Sequence, residues 1–306
     1  MSRHVALLMG GWSAEREVSL NSGRFLADNA RAAGYRVSEI DVERDIAQVL
    51  AELKPDVALN GLHGRFGEDG TVQGMLEIMN IPYTHSGVLA SALAMDKHQS
   101  KIIFKAAGVP VTNHIIAHRS DVARQHVMKP PYVVKPVAEG SSVGIFIVKK
   151  ETSHPPQEIL RPDWQGGEYL MVERFIPGRE LTCAIMGDVA LGVTEIVTDL
   201  GFYNYEAKYA KGGSHHVLPA KISLNVYEKV QKMALKAHQA LGCRGISRAD
   251  FRFNDQAGPG GELVCLEVNT QPGMTATSLV PELALLAGHS SRELVSWIVE
   301  DASCNR

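Results

Sequence analysis

Cysteine is scarce in this sequence: Cys183, Cys243, Cys265 and Cys304 are the four among 306 residues. No two form a CxxC pair, which argues against a zinc site. Three sit in apolar or glycine-flanked segments and read as buried thiols, a usage that fits a reducing compartment. Neither charge sign dominates. Lys and Arg number 31 against 34 Asp and Glu, a net charge of -3, so there is no basic bias for a nucleic-acid partner. No stretch approaches the roughly 18 apolar residues of a membrane span. The run Val5-Ala-Leu-Leu-Met9 is too brief for the core of a secretion signal, and the expected location is the cytoplasm. The twelve histidines show no metal-ligand spacing. Also missing are a GxxxxGK(S/T) phosphate loop, a GxGxxG fingerprint, internal repeats and low-complexity tracts. What remains is an ordinary soluble composition, 45% hydrophobic and 21% charged, in a chain long enough for two or three modest domains.

The N-terminal part alternates strands (4–9, 36–42, 57–62) with helices (about 14–33, then 71–79), the pattern of a parallel α/β sheet. Ligands of such sheets sit beyond the carboxyl ends of the strands, where Gly10-Gly11 and His63-Gly64 fall. The pattern changes near residue 95. A helix over 95–107 precedes strands over 132–135, 143–149, 169–176 and 180–186, with a Pro- and Gly-containing loop over 154–167, which predicts an antiparallel α+β unit. A strand over 189–197 leads into an aperiodic stretch rich in glycine, lysine and tyrosine over 201–214, expected to be a mobile lid. A helix over 224–241, strands over 246–253 and 263–269, and a helix over 292–302 complete the chain.

The most informative residues lie on the strands over 246–253 and 263–269. Side chains two apart share a strand face, so Arg248 points with Asp250, and Glu267 with Asn269. Carboxylates on an otherwise apolar strand are costly unless paired or bound to a metal. Oxygen donors of this kind suit magnesium shared with nucleotide phosphates; an ion pair of Arg248 with Asp250 or Glu267 fits the spacing equally well. Glu139-Gly-Ser-Ser-Val-Gly144 between two strands offers backbone N–H groups to an anion, and Lys135 just before it supplies a point charge; an ordinary polar hairpin with a surface lysine is the alternative. Glu15 follows Gly10-Gly11 in a first helical turn, suited to a cationic amine or merely to the helix dipole. His63 follows a strand end. Ser278 reads first as an N-cap.

In sequence order these segments resemble the D-alanine–D-alanine ligase family of ATP-grasp enzymes. The resemblance rests on Gly10-Gly-Trp-Ser-Ala-Glu-Arg-Glu-Val-Ser19, Leu62-His-Gly-Arg-Phe-Gly-Glu-Asp-Gly70, Met95-Asp-Lys97, Val134-Lys-Pro136 with the glycine-serine loop, Phe202-Tyr-Asn-Tyr-Glu-Ala-Lys-Tyr209, Arg248-Ala-Asp250 and Leu266-Glu-Val-Asn-Thr-Gln-Pro-Gly-Met-Thr275. It implies an N-terminal parallel α/β substrate domain (1–92) followed by a two-domain ATP-grasp unit, central (93–176) and C-terminal (177–306), with the lid at 201–214. It implies ATP-dependent ligation of two D-alanine molecules through a D-alanyl phosphate, with ATP and two Mg2+ (or Mn2+) as cofactors, a homodimer, and a role in peptidoglycan precursor synthesis.

The same resemblance distributes roles. Lys97, Lys135 and Lys208 would meet phosphates; Glu173 and the backbone of Arg174, Phe175 and Ile176 would meet adenine, and Glu180 the ribose. Asp250, Glu267 and Asn269 would hold the metals. Glu15, Ser141 and Tyr209 would tie the lid to the first substrate, near His63. Ser278 and Leu279 would bind the second substrate's carboxylate, and Arg248 with the Gly273 N–H would face the oxyanion. Asn204 and Gln271 depart from the family's more usual Asp and Ser. A D-alanyl-D-lactate ligase, another acid–amine ligase of the superfamily and a catalytically silent nucleotide sensor are the competing readings; Tyr209, the His63 motif and the full set of phosphate and metal residues weigh against them in turn.

Overall fold

The computed structural model describes residues 2–140, 144–198 and 215–306. Strand β1 (His4–Met9) is buried along its whole length. It pairs in parallel with β2 (Arg36–Asp41) and β3 (Val57–Asn60), giving the order β2-β1-β3. A strand covered on both faces needs apolar residues at successive positions, which Val5-Ala-Leu-Leu-Met9 supplies. Val5 and Leu7 pack with Leu26 and Ala30 of helix α1 (Arg16–Ala32). Ala6 and Leu8 pack on the other face with Leu50 of α2 (Ile46–Leu53) and Leu76 of α3 (Thr71–Ile78).

Helices α4 (Val88–Met95) and α5 (Lys97–Ala106) follow. Strands β4 (His114–His118), β5 (Tyr132–Pro136), β6 (Phe146–Val148) and β7 (Tyr169–Arg174) form an antiparallel sheet of order β4-β7-β5-β6. Helix α6 (Arg119–Arg124) covers it through Val122, against Tyr132, Val134, Leu170 and Val172. The second antiparallel sheet contains β8 (Arg179–Met186), β9 (Val189–Val197), β10 (His215–Val217), β11 (Ile246–Asn254) and β12 (Glu262–Asn269) in the order β10-β9-β8-β11-β12. Helix α7 (Leu224–Leu241) lays Val230 and Ala234 on this sheet beside Phe104 of α5. Helices α8 (Leu279–Leu286) and α9 (Ser291–Glu300) pack Leu283 and Val295 into the core that also holds Val5 and Leu7. The N-terminal sheet and the C-terminal sheet therefore share one apolar layer.

Pro177-Gly178 is where the chain passes from one antiparallel sheet to the other, since β7 and β8 belong to different sheets. Gly178 has φ +95°, and a Cβ there would collide with the Phe253 backbone, so the close approach of this turn to β11 requires glycine. Helices α2, α4 and α6 and strands β4 and β10 are additional to the elements expected from the sequence. The expected strand over 143–149 is represented by Phe146–Val148. The expected lid, with Lys208 and Tyr209, and Ser141 of the glycine-serine loop lie outside the described residues.

Candidate active site

The two antiparallel sheets line a common cleft. Its walls take in Lys97, Lys135, Glu173, the Arg174-Phe-Ile176 strap, Glu180, Asp250 and Glu267. Lys97 is placed by the start of α5: the Asp96 carboxylate accepts from the N–H groups of His98 and Gln99, both at 2.9 Å, fixing the first turn. From there the Lys97 ammonium donates to the Glu139 carbonyl at 2.7 Å and pairs with Glu267 at 3.3 Å.

Lys135 is only 5% exposed, not the surface lysine that a simple hairpin would carry. Its ammonium lies 2.5 Å from Glu173 Oε1. Glu173 Oε2 accepts from Thr112 Oγ1 at 2.6 Å and pairs with Lys101 at 3.0 Å. Burial alone would push the Glu173 carboxyl up, but Lys101, Lys135 and the hydrogen bonds outweigh it and hold it well below the usual carboxylate range. Burial lowers Lys101 despite Glu173. Burial also opposes the charge of Lys135, yet Glu173 and Glu267 together raise it.

At the strap, Arg252 donates to the carbonyls of Ile176 at 3.1 Å and Gly178 at 2.8 Å, and to Glu180 at 3.3 Å. Its guanidinium also lies 5.9 Å from the Phe175 ring centroid. One side chain thus fixes both the backbone edge and the carboxylate on that wall.

The register of β11 and β12 sets Asp250 opposite Glu267 and Arg248 opposite Asn269. Like charges directly opposite each other in a sheet repel, so this face calls for a cation. Arg248 answers part of that need, with Nε 2.9 Å from Asp250 Oδ1 and Nη2 2.7 Å from Oδ2; Thr182 also donates to Oδ1 at 2.6 Å. The ion pair allowed by the spacing is therefore made. Among the described residues no three His, Cys, Asp or Glu side chains converge as a self-sufficient metal site. Two carboxylates and an amide oxygen are the donor set of a magnesium that completes its shell with phosphate oxygens and water, so these residues fit such an ion.

Beyond the cleft, the ends of β1 and β3 bring up Glu15, His63 and Glu68. Glu15 is the N-cap position of α1, yet its side chain makes no cap hydrogen bond. It turns to Gly140, where a Cβ would collide with its carboxylate. His63 is buried, with Nε2 2.9 Å from Ser22 Oγ, and burial with the Arg248 charge outweighs the Gln271 backbone and brings it down to about 4, so the ring is neutral. Ser22 Oγ also accepts the Met274 N–H at 3.2 Å. Glu68 accepts the Gly64 N–H at 2.7 Å, and burial and the Glu15 charge push it well above its usual range. The loop after β12 is held by Gln271, whose side chain donates to the Asn60 carbonyl and whose N–H donates to Asn269 Oδ1 at 2.8 Å. Ser278 stands at the N-cap of α8 without a side-chain cap. Its hydroxyl accepts the Thr275 N–H at 2.9 Å and lies 3.4 Å from where a Gly273 Cβ would be. Leu279 beside it is buried.

Comparison with known proteins bears on this arrangement. A family model described as "D-ala D-ala ligase C-terminus" matches residues 103–300, and one described as "D-ala D-ala ligase N-terminus" matches 42–86. The chain belongs to the D-alanine–D-alanine ligase family. It is 62% identical over 306 residues to the D-alanine–D-alanine ligase of Rhizobium meliloti (strain 1021), covering 100% of this chain and 99% of that one. The enzyme of the same name from Xanthobacter autotrophicus is also 62% identical, with both chains fully covered. Among solved structures, the D-alanine–D-alanine ligase of Bacillus anthracis superposes with TM-score 0.82 at 31% identity, over 98% of this chain and 97% of that one. The same enzyme complexed with ATP gives TM-score 0.80 at 28% identity, with the same coverage. An N-terminal parallel α/β unit followed by two antiparallel sheets is the architecture of this D-alanine–D-alanine ligase family member, as expected.

Of the residues singled out in the sequence, the cleft collects Lys97, Lys135, Glu173, Arg174, Phe175, Ile176, Glu180, Asp250 and Glu267. Arg248 and Asn269 sit beside it on the same strand pair. Glu15, His63, Gly273, Ser278 and Leu279 lie outside its lining. Lys101, Glu68 and Arg252 carry no role legible from the sequence pattern. Lys101 carries a signal of burial, though not of role: on α5 it shares the buried face with Lys97, Ser100 and Phe104, a place where lysine is rarely found without a partner.

Proposed function

We propose that this chain joins two molecules of D-alanine into D-alanyl-D-alanine at the expense of ATP, supplying peptidoglycan precursors in the cytoplasm. The observation that carries the reading is the register of β11 and β12: it puts a carboxylate pair and Arg248 on one face, at the edge of a lysine-bearing cleft. A carboxylate is a poor electrophile, and transfer of the γ-phosphoryl group turns the first D-alanine into an acyl phosphate with a good leaving group. That transfer needs positioning and charge neutralisation, assigned to Lys97, Lys135 and Lys208. Two magnesium ions (or manganese), on Asp250, Glu267 and Asn269, would neutralise phosphate charge. Glu173 and the 174–176 strap hold adenine, and Glu180 the ribose.

Glu15 receives the ammonium of the first D-alanine, beside neutral His63, and Ser141 and Tyr209 link this end to the lid. Ser278 and the Leu279 N–H, at the start of α8, take the second carboxylate. As the second amine attacks, Arg248 and the Gly273 N–H stabilise the oxyanion. The division of labour follows the three segments 1–92, 93–176 and 177–306. A homodimer is the proposed assembly, on the family resemblance, and sedimentation equilibrium tests it. The acyl phosphate is tested with D-alanine carrying 18O in its carboxyl group. One labelled oxygen appears in the released phosphate if the intermediate forms; unlabelled phosphate throughout overturns it.

A further inference from the structure

Two buried ammonium groups share one buried carboxylate in the wall of the cleft. Lys101 is 1% exposed and Glu173 3%. Lys135 holds Glu173 Oε1, while Lys101 and Thr112 hold Oε2, and Lys101 Nζ is also 3.3 Å from Thr112 Oγ1. A carboxylate so deeply buried cannot be left without a cation. With Lys135 alone, moving that lysine to a phosphate would strand the charge. With Lys101 in place the carboxylate keeps an ammonium and a hydroxyl on Oε2 while Oε1 is released.

We propose that Lys101 is the reserve counter-ion of Glu173, a positioning residue that lets Lys135 leave for the nucleotide phosphates. The inference rests on the ATP reading above. Its second consequence concerns the base. Once Lys135 has moved, Oε1 faces the cleft as an acceptor fixed in the ionised form, and an acceptor selects a base edge that carries an amino group over one that carries a carbonyl. Lys101 thereby couples phosphate binding to recognition of adenine, although it lines neither part of the cleft.

The test uses the full chain and the β,γ-imido analogue of ATP, titrated calorimetrically with Mg2+ and without amino acid. Lys101→Met is expected to weaken the analogue about tenfold or more, because a hydrogen-bonded charge loses its partner. In turnover the KM for ATP rises while kcat and the KM for D-alanine stay close to the parent values. In an E173Q background, where there is no carboxylate to hold, Lys101→Met is expected to change the affinity by less than about threefold. Equal weakening in both backgrounds, or parent affinity in Lys101→Met, overturns the proposal. Thr112→Val, which removes only the hydroxyl, keeps the test decisive where Lys101→Met does not fold. A loss of about three- to fivefold, abolished by E173Q, is expected, and an unchanged affinity overturns the proposal. Failure of the parent protein to bind the analogue overturns the nucleotide reading, and this inference with it.

Discussion

Replacing Arg252 with methionine is the most informative single change at the nucleotide wall. The apolar stem is kept while the guanidinium is lost, and with it the donors to the Ile176 carbonyl, the Gly178 carbonyl and Glu180. The two carbonyl bonds come from a charged donor, for about 1.5–3 kcal/mol each in gross cost of removal. The carbonyls regain water at the cleft mouth, so the net loss is nearer 2–4 kcal/mol in total. Part of this destabilises the folded chain. The part felt by the nucleotide is the misplacement of one backbone edge and one carboxylate, about 1–1.5 kcal/mol, or a five- to fifteenfold rise in the KM for ATP. Initial rates of ADP release, with ATP varied at saturating D-alanine, measure it. kcat is expected to fall less than about threefold, and the KM for D-alanine to stay put, because Arg252 fixes binding geometry and touches no group assigned to chemistry. An unchanged KM for ATP, or a rise confined to the KM for D-alanine, refutes the assignment of this wall to the nucleotide.

Three further outcomes follow. Gly140→Ala drives a Cβ into the Glu15 carboxylate, and the KM for D-alanine in initial-rate assays is expected to rise about tenfold. Glu267→Gln removes one of two opposed carboxylates; the Mg2+ concentration giving half-maximal activity should rise about tenfold and excess Mg2+ should restore the rate, while chelation silences the parent enzyme. His63 is held neutral, down from 6.5 to about 4. Between these values the unfolded chain binds a proton that the folded chain does not, so the contribution is full above pH 6.5 and is lost as pH falls through about 4. Its upper bound is about 3 kcal/mol, and the urea midpoint of His63→Gln should depend less steeply on pH across that window than the parent's.

Much of the fold was legible because periodicity is local. Buried β1 shows as an unbroken apolar run, and α7 carries Val226, Val230, Met233 and Ala237 on one face. Helix α4 escaped notice because Val-Leu-Ala-Ser-Ala-Leu-Ala-Met is apolar nearly all round and has no period to read. Strand β4 is a sheet edge of five residues, two of them histidines, with no alternation of polar and apolar positions. The site divides the same way. That Arg248 and Asp250 share a face follows from a spacing of two. That Asp250 stands opposite Glu267 is a matter of register, fixed by pairing partners far apart in the chain. Lys101, Glu68 and Arg252 were hidden because a charged side chain reads as solvated until packing shows it buried, as for Lys101 and Glu68, or half-buried, as for Arg252.

Consumption of ATP to join D-alanine to D-alanine has a direct readout. Phosphate release from Mg-ATP, with D-alanine, L-alanine, D-alanine plus D-lactate, or no amino acid, measured alongside the mass of the product, tests it most directly. Release that depends on D-alanine, with a product of the mass of D-alanyl-D-alanine, is expected. Release with D-alanine but no dipeptide, or no release under any condition, contradicts it.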